Sequence, residues 1–243
     1  MNILGIIPAR YASSRFPGKP LVDIGGKTMI QRVYEQARKC AALAEVIVAT
    51  DDDRIFDHVI GFGGNAAMTA DSHESGTDRC AEVALQYPGY NVIINIQGDE
   101  PYIDPEQINK LASCFADSGT QLATLIKKIN TTTELLNINS PKVVINSLRE
   151  AVYFSRSPLP FLRGIEPDQW LTHHKYFKHI GIYGYRADIL QQITKLSVSS
   201  LESAEKLEQL RWIENGYRIK VAETELETFA IDTPEDLNIL LNR

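Results

Sequence analysis

The sequence predicts an α/β fold, an open and mostly parallel sheet with helices on both faces and a smaller mixed insertion, and three observations lead there. Runs rich in apolar and β-branched residues recur at residues 3–7, 46–49 and 92–96, the pattern of strands buried on both sides. The segments between them carry apolar residues at helical spacing, so the order reads βαβαβαβ. After residue 140 the style changes to short strands, a Pro- and Gly-rich stretch and one aromatic strand.

Taken in order, residues 3–7 (ILGII) make the first strand. Residues 28–41 place Ile30, Val33, Ala37 and Cys40 on one helical stripe. A second strand spans 46–49, a helix 52–60, a helix 77–87 after a strand-like stretch, and a third buried strand 92–96. Residues 105–116 form a helix with Pro105 in its first turn, and 121–126 a further strand. Residues 143–146 and 151–155 flank a polar turn and read as a hairpin, 157–169 as loop, and 179–185 as a strand. One helix is expected over 201–215, stopped at Gly216, then a strand at 219–221 and a last helix over 234–241.

The chain of 243 residues fits one domain, 1–243, with an elaboration at about 140–190 that serves as a substrate wall, a dimer surface or both. A formal net charge of −6 offers no global positive field for nucleic acid. An anionic substrate must then meet a local cluster of cations. Cys40, Cys80 and Cys114 are far apart and form no CxxC, so neither a zinc site nor a disulfide framework is expected. The apolar run at 3–7 is too short for a signal peptide or a membrane span, and the protein is read as cytoplasmic, with no membrane partner.

Open parallel sheets bind ligands at the carboxyl ends of their strands. The first such loop, residues 8–21 (PARYASSRFPGKPL), holds Arg10, Arg15 and Lys19 among small residues. Small residues such as Ala9, behind Pro8, let backbone N–H groups approach an anion. Arg supplies a forked donor and Lys a point charge, both suited to phosphate oxygens. The alternative is a solvated basic loop. Neither GxxxxGK[ST] nor GxGxxG is present, so this is no P-loop and no dinucleotide fingerprint.

A strand followed by PARxxSxRxPGKPL resembles the signature of the sugar nucleotidyltransferases that make CMP-activated acidic sugars. The chain is similar to the 3-deoxy-manno-octulosonate (Kdo) cytidylyltransferase family over almost its whole length, through further stretches quoted below. That resemblance implies a Rossmann-like nucleotidyltransferase fold, CTP and Kdo as small-molecule substrates, Mg²⁺ as cofactor, a homodimer, and a place in lipopolysaccharide biosynthesis. It leaves 8-amino-Kdo or a nonulosonate as alternative acceptors, and a non-catalytic nucleotide-binding protein as a distant alternative.

NIQGDEP ends the third strand and puts Asp99 at the sheet edge, with Gln97 beside it; far downstream, AIDTPEDL places Asp232 before a helix. Two carboxylates with phosphate oxygens and water are usual surroundings for Mg²⁺, and both stretches resemble the family's metal-binding segments. Local pattern alone also allows Asp99 as a turn residue and Asp232 as a helix N-cap. Ser75-Gly76-Thr77 resembles the family's nucleotide-binding SGT stretch, with helix capping by Ser75 or Thr77 as the local alternative. Arg79, one turn on, faces either the base or an internal carboxylate.

For the sugar, YFSR brings Arg156, and HIGIYGYR brings His179, Tyr183 and Tyr185 to one side of a strand. LEQLR brings Glu208 and Gln209. Donors of this kind suit a polyhydroxylated acid, whereas the same residues also suit core or surface packing. The KVV stretch follows Ser140-Pro141 where many members carry Asn-Ala, and residues 163–176 vary; both bear on the sugar chosen. Arg10, Lys19, Asp99 and Asp232 are the expected catalytic residues.

Overall fold

The computed structural model describes residues 1–12 and 16–241. In chain order the elements are β1 (Ile3–Pro8), α1 (Met29–Ala37), β2 (Glu45–Thr50), α2 (Asp53–Gly61), β3 (Ala66–Met68), α3 (Gly76–Gln86), β4 (Val92–Asn95), α4 (Pro105–Ser113), β5 (Leu122–Lys128) and α5 (Thr132–Leu136). They continue with β6 (Lys142–Ile145), β7 (Ala151–Ser155), α6 (Trp170–His173), β8 (Phe177–Arg186), α7 (Ala187–Ile193), α8 (Ser200–Glu205), α9 (Gln209–Glu214), β9 (Ile219–Glu223) and α10 (Pro234–Leu241).

The sheet runs β3-β2-β1-β4-β8-β5-β9, with β6 and β7 off this path. β1, β2, β3 and β4 pair in parallel, as do β5 and β9, while β8 is antiparallel to β4 and β5. The sheet is therefore open and mostly parallel, with one reversed strand at its centre.

Alternation along β1 explains the helices on both faces. Leu4 and Ile6 point into a layer with Cys80 and Val83 of α3, Ile189 and Leu190 of α7, and Trp212 of α9. Ile3 and Ile7 point the other way, toward Ile30 and Val33 of α1, Ile55 and Val59 of α2, and Ile108 and Leu111 of α4. Each such side chain removed from water contributes roughly 1.5–3 kcal/mol, so neither face is left to solvent. Thr28, Asp52, Ser75 and Asp104 cap their helices with side-chain oxygens.

Three expectations change. The helix read over 201–215 is two helices, because Lys206 adopts φ 54° and ends α8; a charged residue in the left-handed region carries no sequence signal comparable to glycine's. The stretch 157–169 ends in a 3₁₀ turn, Pro167–Gln169, leading into α6. The elaboration read at about 140–190 also contributes a strand to the sheet itself, since β8 lies between β4 and β5. Among the described residues no helix is long and apolar enough to cross a membrane, and all three cysteines are free thiols.

Candidate active site

The carboxyl ends of β1 and β4 open on a cleft of about 360 Å³. The loop after β1 is closed by its own backbone: the Gly18 N–H donates to the Tyr11 carbonyl at 2.9 Å. Gly18 takes φ 72° there, against the Tyr11 ring, and the Arg54 guanidinium lies 3.4 Å above that ring from α2. Lys19 follows in a one-turn 3₁₀ helix. Its ammonium donates to Asp99 Oδ2 at 2.9 Å, to the Ile231 carbonyl at 3.0 Å and to Asp232 Oδ1 at 3.4 Å.

The two acids meet because the chain end is tied down by apolar contacts. Ile231 is buried with Ile24 and Met29, and Phe16, Phe229, Leu237 and Leu240 pack around them. The Ile231 N–H donates to the Asp99 carbonyl at 2.9 Å. The cap of α10 is Thr233, not Asp232: Thr233 Oγ1 accepts from the Asp236 N–H, and Asp236 Oδ2 accepts from the Thr233 and Asp232 N–H groups. Asp232 is thus presented to the cleft with its carboxylate not engaged as a cap.

Pro8, Ala9 and Arg10 line the cleft at the end of β1, and Gln97, Gly98 and Asp99 line it after β4. Gly98 has no room for a side chain, since a Cβ would stand 2.8 Å from the Pro8 carbonyl oxygen. Ser75, Gly76 and Thr77 form a third wall, where Ser75 caps α3 in a capping box with Asp78. Capping and cleft lining coexist at Ser75. Arg79 also borders the cleft, but its guanidinium is buried and bonded to Asp51 Oδ2 at 2.6 Å and Thr69 Oγ1 at 2.6 Å. It faces the internal carboxylate, which leaves it little to offer a base. Arg15 lies outside the described residues.

Among the expected sugar contacts, Tyr183 and Glu208 line the cleft. His179, Tyr183 and Tyr185 do share a face, because the irregularity in the β5–β8 register displaces the pairing by two residues and preserves the alternation. Tyr185, however, is fully buried, stacked beside Tyr183 and edge-on to Trp212. His179 keeps part of its surface exposed, but its ring is enclosed by Phe154, Tyr183 and Thr124. That burial holds its pKa down at about 3. The Thr124 hydroxyl lies 2.9 Å from Nε2 and donates to the Ile182 carbonyl at 2.8 Å, so the neutral ring is a satisfied partner.

Arg156 is also outside the cleft. Its guanidinium donates to the carbonyls of Glu205, Lys206 and Ile138, and its N–H to the Glu205 carboxylate. Gln209 is buried at the start of α9 and does not line the cleft.

Several cleft residues escape the sequence reading. His73 pairs with Glu82, its Nε2 2.5 Å from Oε2, and stands with Glu74 between the cleft and an adjoining groove. Asn95, buried at the end of β4, has its Oδ1 without a hydrogen-bond partner; so has the hydroxyl of Tyr183, its register partner on β8. Unpaired polar atoms are costly in an interior, and both residues border the cleft, where a ligand can satisfy them. The signal in the sequence was a lone Asn inside an otherwise apolar strand.

A loop that carries cations, two acids brought to one nitrogen and a capped helix N-terminus beside the cleft are the parts a nucleotidyl transfer needs, and comparison with known proteins agrees. The sequence profile of the cytidylyltransferase family matches residues 4–221. The chain is 58% identical to a 3-deoxy-manno-octulosonate cytidylyltransferase of Parabacteroides distasonis, over 98% of this chain and 96% of that one. It is 55% identical to one of Bacteroides thetaiotaomicron, over 98% and 96% respectively. The solved structure of a CMP:2-keto-3-deoxy-manno-octonic acid synthetase complexed with CTP superposes with a TM-score of 0.92 at 44% identity, covering 100% of this chain and 98% of that one. The chain belongs to the cytidylyltransferase family, among the 3-deoxy-manno-octulosonate cytidylyltransferases.

Proposed function

We propose that the protein transfers CMP from CTP to the anomeric hydroxyl of Kdo, yielding CMP-Kdo and pyrophosphate for lipopolysaccharide biosynthesis. The observation that carries the reading is the Lys19 ammonium within 3.4 Å of both Asp99 and Asp232, at the edge of a nucleotide-binding sheet. The sugar oxygen attacks the α-phosphorus in line. An O–P bond forms as the bond from the α-phosphorus to the bridging oxygen breaks, and pyrophosphate leaves. Such a reaction depends on positioning and on charge neutralisation. In our reading Arg10, Arg15 and Lys19 hold the triphosphate, Ser75, Gly76 and Gln97 seat the nucleotide, and Tyr183 and Glu208 form the acceptor wall.

The residues present fit a divalent cation, because two carboxylates already share one positive group at a phosphate-facing edge. Asp99 and Asp232 would hold it, and we assign Mg²⁺. When bound, the ion supplies neutralisation of phosphate charge and easier loss of the hydroxyl proton. We further place the protein in the cytoplasm, where CTP is available, and as a homodimer. Supporting the dimer, the exposed large apolar residues Leu136, Ile138, Leu148, Val152 and Phe161 lie within one stretch of chain; sedimentation giving a monomer at micromolar concentration would refute it. The activity is tested by pyrophosphate release with CTP, Mg²⁺ and a panel of sugar acids. Release with Kdo is expected, and release only with 8-amino-Kdo or a nonulosonate would move the assignment to that sugar.

A further inference from the structure

The Thr77 hydroxyl joins two parts of the cleft that are distant in sequence. The residue is 3% exposed, in the first turn of α3. Its Oγ1 donates to Glu208 Oε2 at 2.8 Å, across 131 positions of chain. A threonine hydroxyl has one proton, so this bond leaves it no donor for a nucleobase. Glu208 stands at the start of α9, and that helix makes no use of its carboxylate as a cap. The same residue borders both the cleft and the adjoining groove. Burial is the main reason its pKa is raised, with the Thr77 hydrogen bond acting in the opposite sense.

We propose that Thr77 is a positioning residue for the acceptor sugar: its hydroxyl fixes the Glu208 carboxylate at the cleft wall, so sugar binding, and not CTP binding, depends on it. The inference rests on Glu208 being an acceptor contact, as read above. It moves Thr77 from the nucleotide side of the site, where sequence resemblance put it, to the sugar side. It also ties the two substrates to one helix end, since Ser75 and Gly76 precede Thr77 directly on the nucleotide wall.

The test is steady-state kinetics and calorimetry on Thr77→Val, Thr77→Ser, Glu208→Gln and the double variant Thr77→Val/Glu208→Gln. Thr77→Val removes the hydroxyl at nearly constant shape. It is expected to raise KM for Kdo roughly tenfold, the scale of one hydrogen bond to a charged group, with Kd for CTP in the absence of sugar unchanged. Thr77→Ser is expected to restore KM for Kdo. In the Glu208→Gln background, where an unpaired buried charge cannot threaten folding, Thr77→Val is expected to add no further rise. A weakened Kd for CTP with KM for Kdo unchanged would overturn the proposal, as would a further rise in the double variant or a Thr77→Ser variant as impaired as Thr77→Val. Glu208→Gln with a normal KM for Kdo would instead remove the acceptor role of Glu208, and that of Thr77 with it.

Discussion

Lys19 and Asp99, 80 positions apart, form a 2.9 Å ion pair, and the same ammonium reaches Asp232 at 3.4 Å. One ammonium therefore bridges the two acids. That ammonium stands where a divalent ion would have to compete with it, and it is also the group expected to meet the triphosphate. Lys19→Ala should raise KM for CTP by about 10- to 100-fold, the scale of a lost charge-assisted contact. The same variant should bind Mn²⁺ more tightly than the wild type without nucleotide. Calorimetry with Mn²⁺ and initial-rate kinetics against CTP separate the two effects.

Asp99→Asn and Asp232→Asn should each lower kcat by about 10²-fold or more, the loss typical of a group facing transition-state charge, with an unchanged far-ultraviolet circular dichroism spectrum. Asp232 is not needed to cap α10, because Thr233 and Asp236 do that. A fully active Asp232→Asn enzyme would remove Asp232 from the chemistry.

Arg79→Met should act on stability more than on CTP use. The guanidinium is buried against Asp51, Thr69 and the Ala70 carbonyl, and breaking such a pair strands the remaining carboxylate at a cost of about 3 kcal/mol. Urea unfolding should show the loss, while KM for CTP of the folded fraction should change little.

His179 makes stability fall in acid. Its folded pKa, about 3, lies below the ordinary value of 6.5, so the unfolded chain takes up the proton first. The contribution is complete above pH 6.5 and declines as pH drops toward 3. Between pH 7 and pH 5 this group alone should cost about 2 kcal/mol. His179→Gln should flatten that part of the stability–pH curve, measured by urea titration at each pH.

What the sequence disclosed follows from periodicity. Ile30, Val33, Ala37 and Cys40 are all buried, as their spacing required, and the continuous runs at β1, β2 and β4 lie in the sheet. The position of β8 was not legible: nothing in an alternating aromatic strand distinguishes an outer hairpin from a reversed strand between β4 and β5. Nor was the break at Lys206, on which the fate of Arg156 depends. Ending α8 there exposes the Glu205 and Lys206 carbonyls, and Arg156 takes both. Asp99 and Asp232 could be paired from their similar local patterns, but the cluster of Ile24, Met29 and Ile231 that brings them together has no short-range signature.

The reversal of β8 has a consequence for how this scaffold can change its acceptor. In a run of parallel strands only carboxyl termini reach the working edge, whereas a strand laid the other way delivers its opening residues there. The opening residues of β8 therefore run past the end of β4, and Tyr183, opposite Asn95, enters the cleft from a strand directed against β1 and β4. That wall can change by substitution along one reversed strand while the parallel strands, whose ends carry Pro8 and Asn95, keep their pairing.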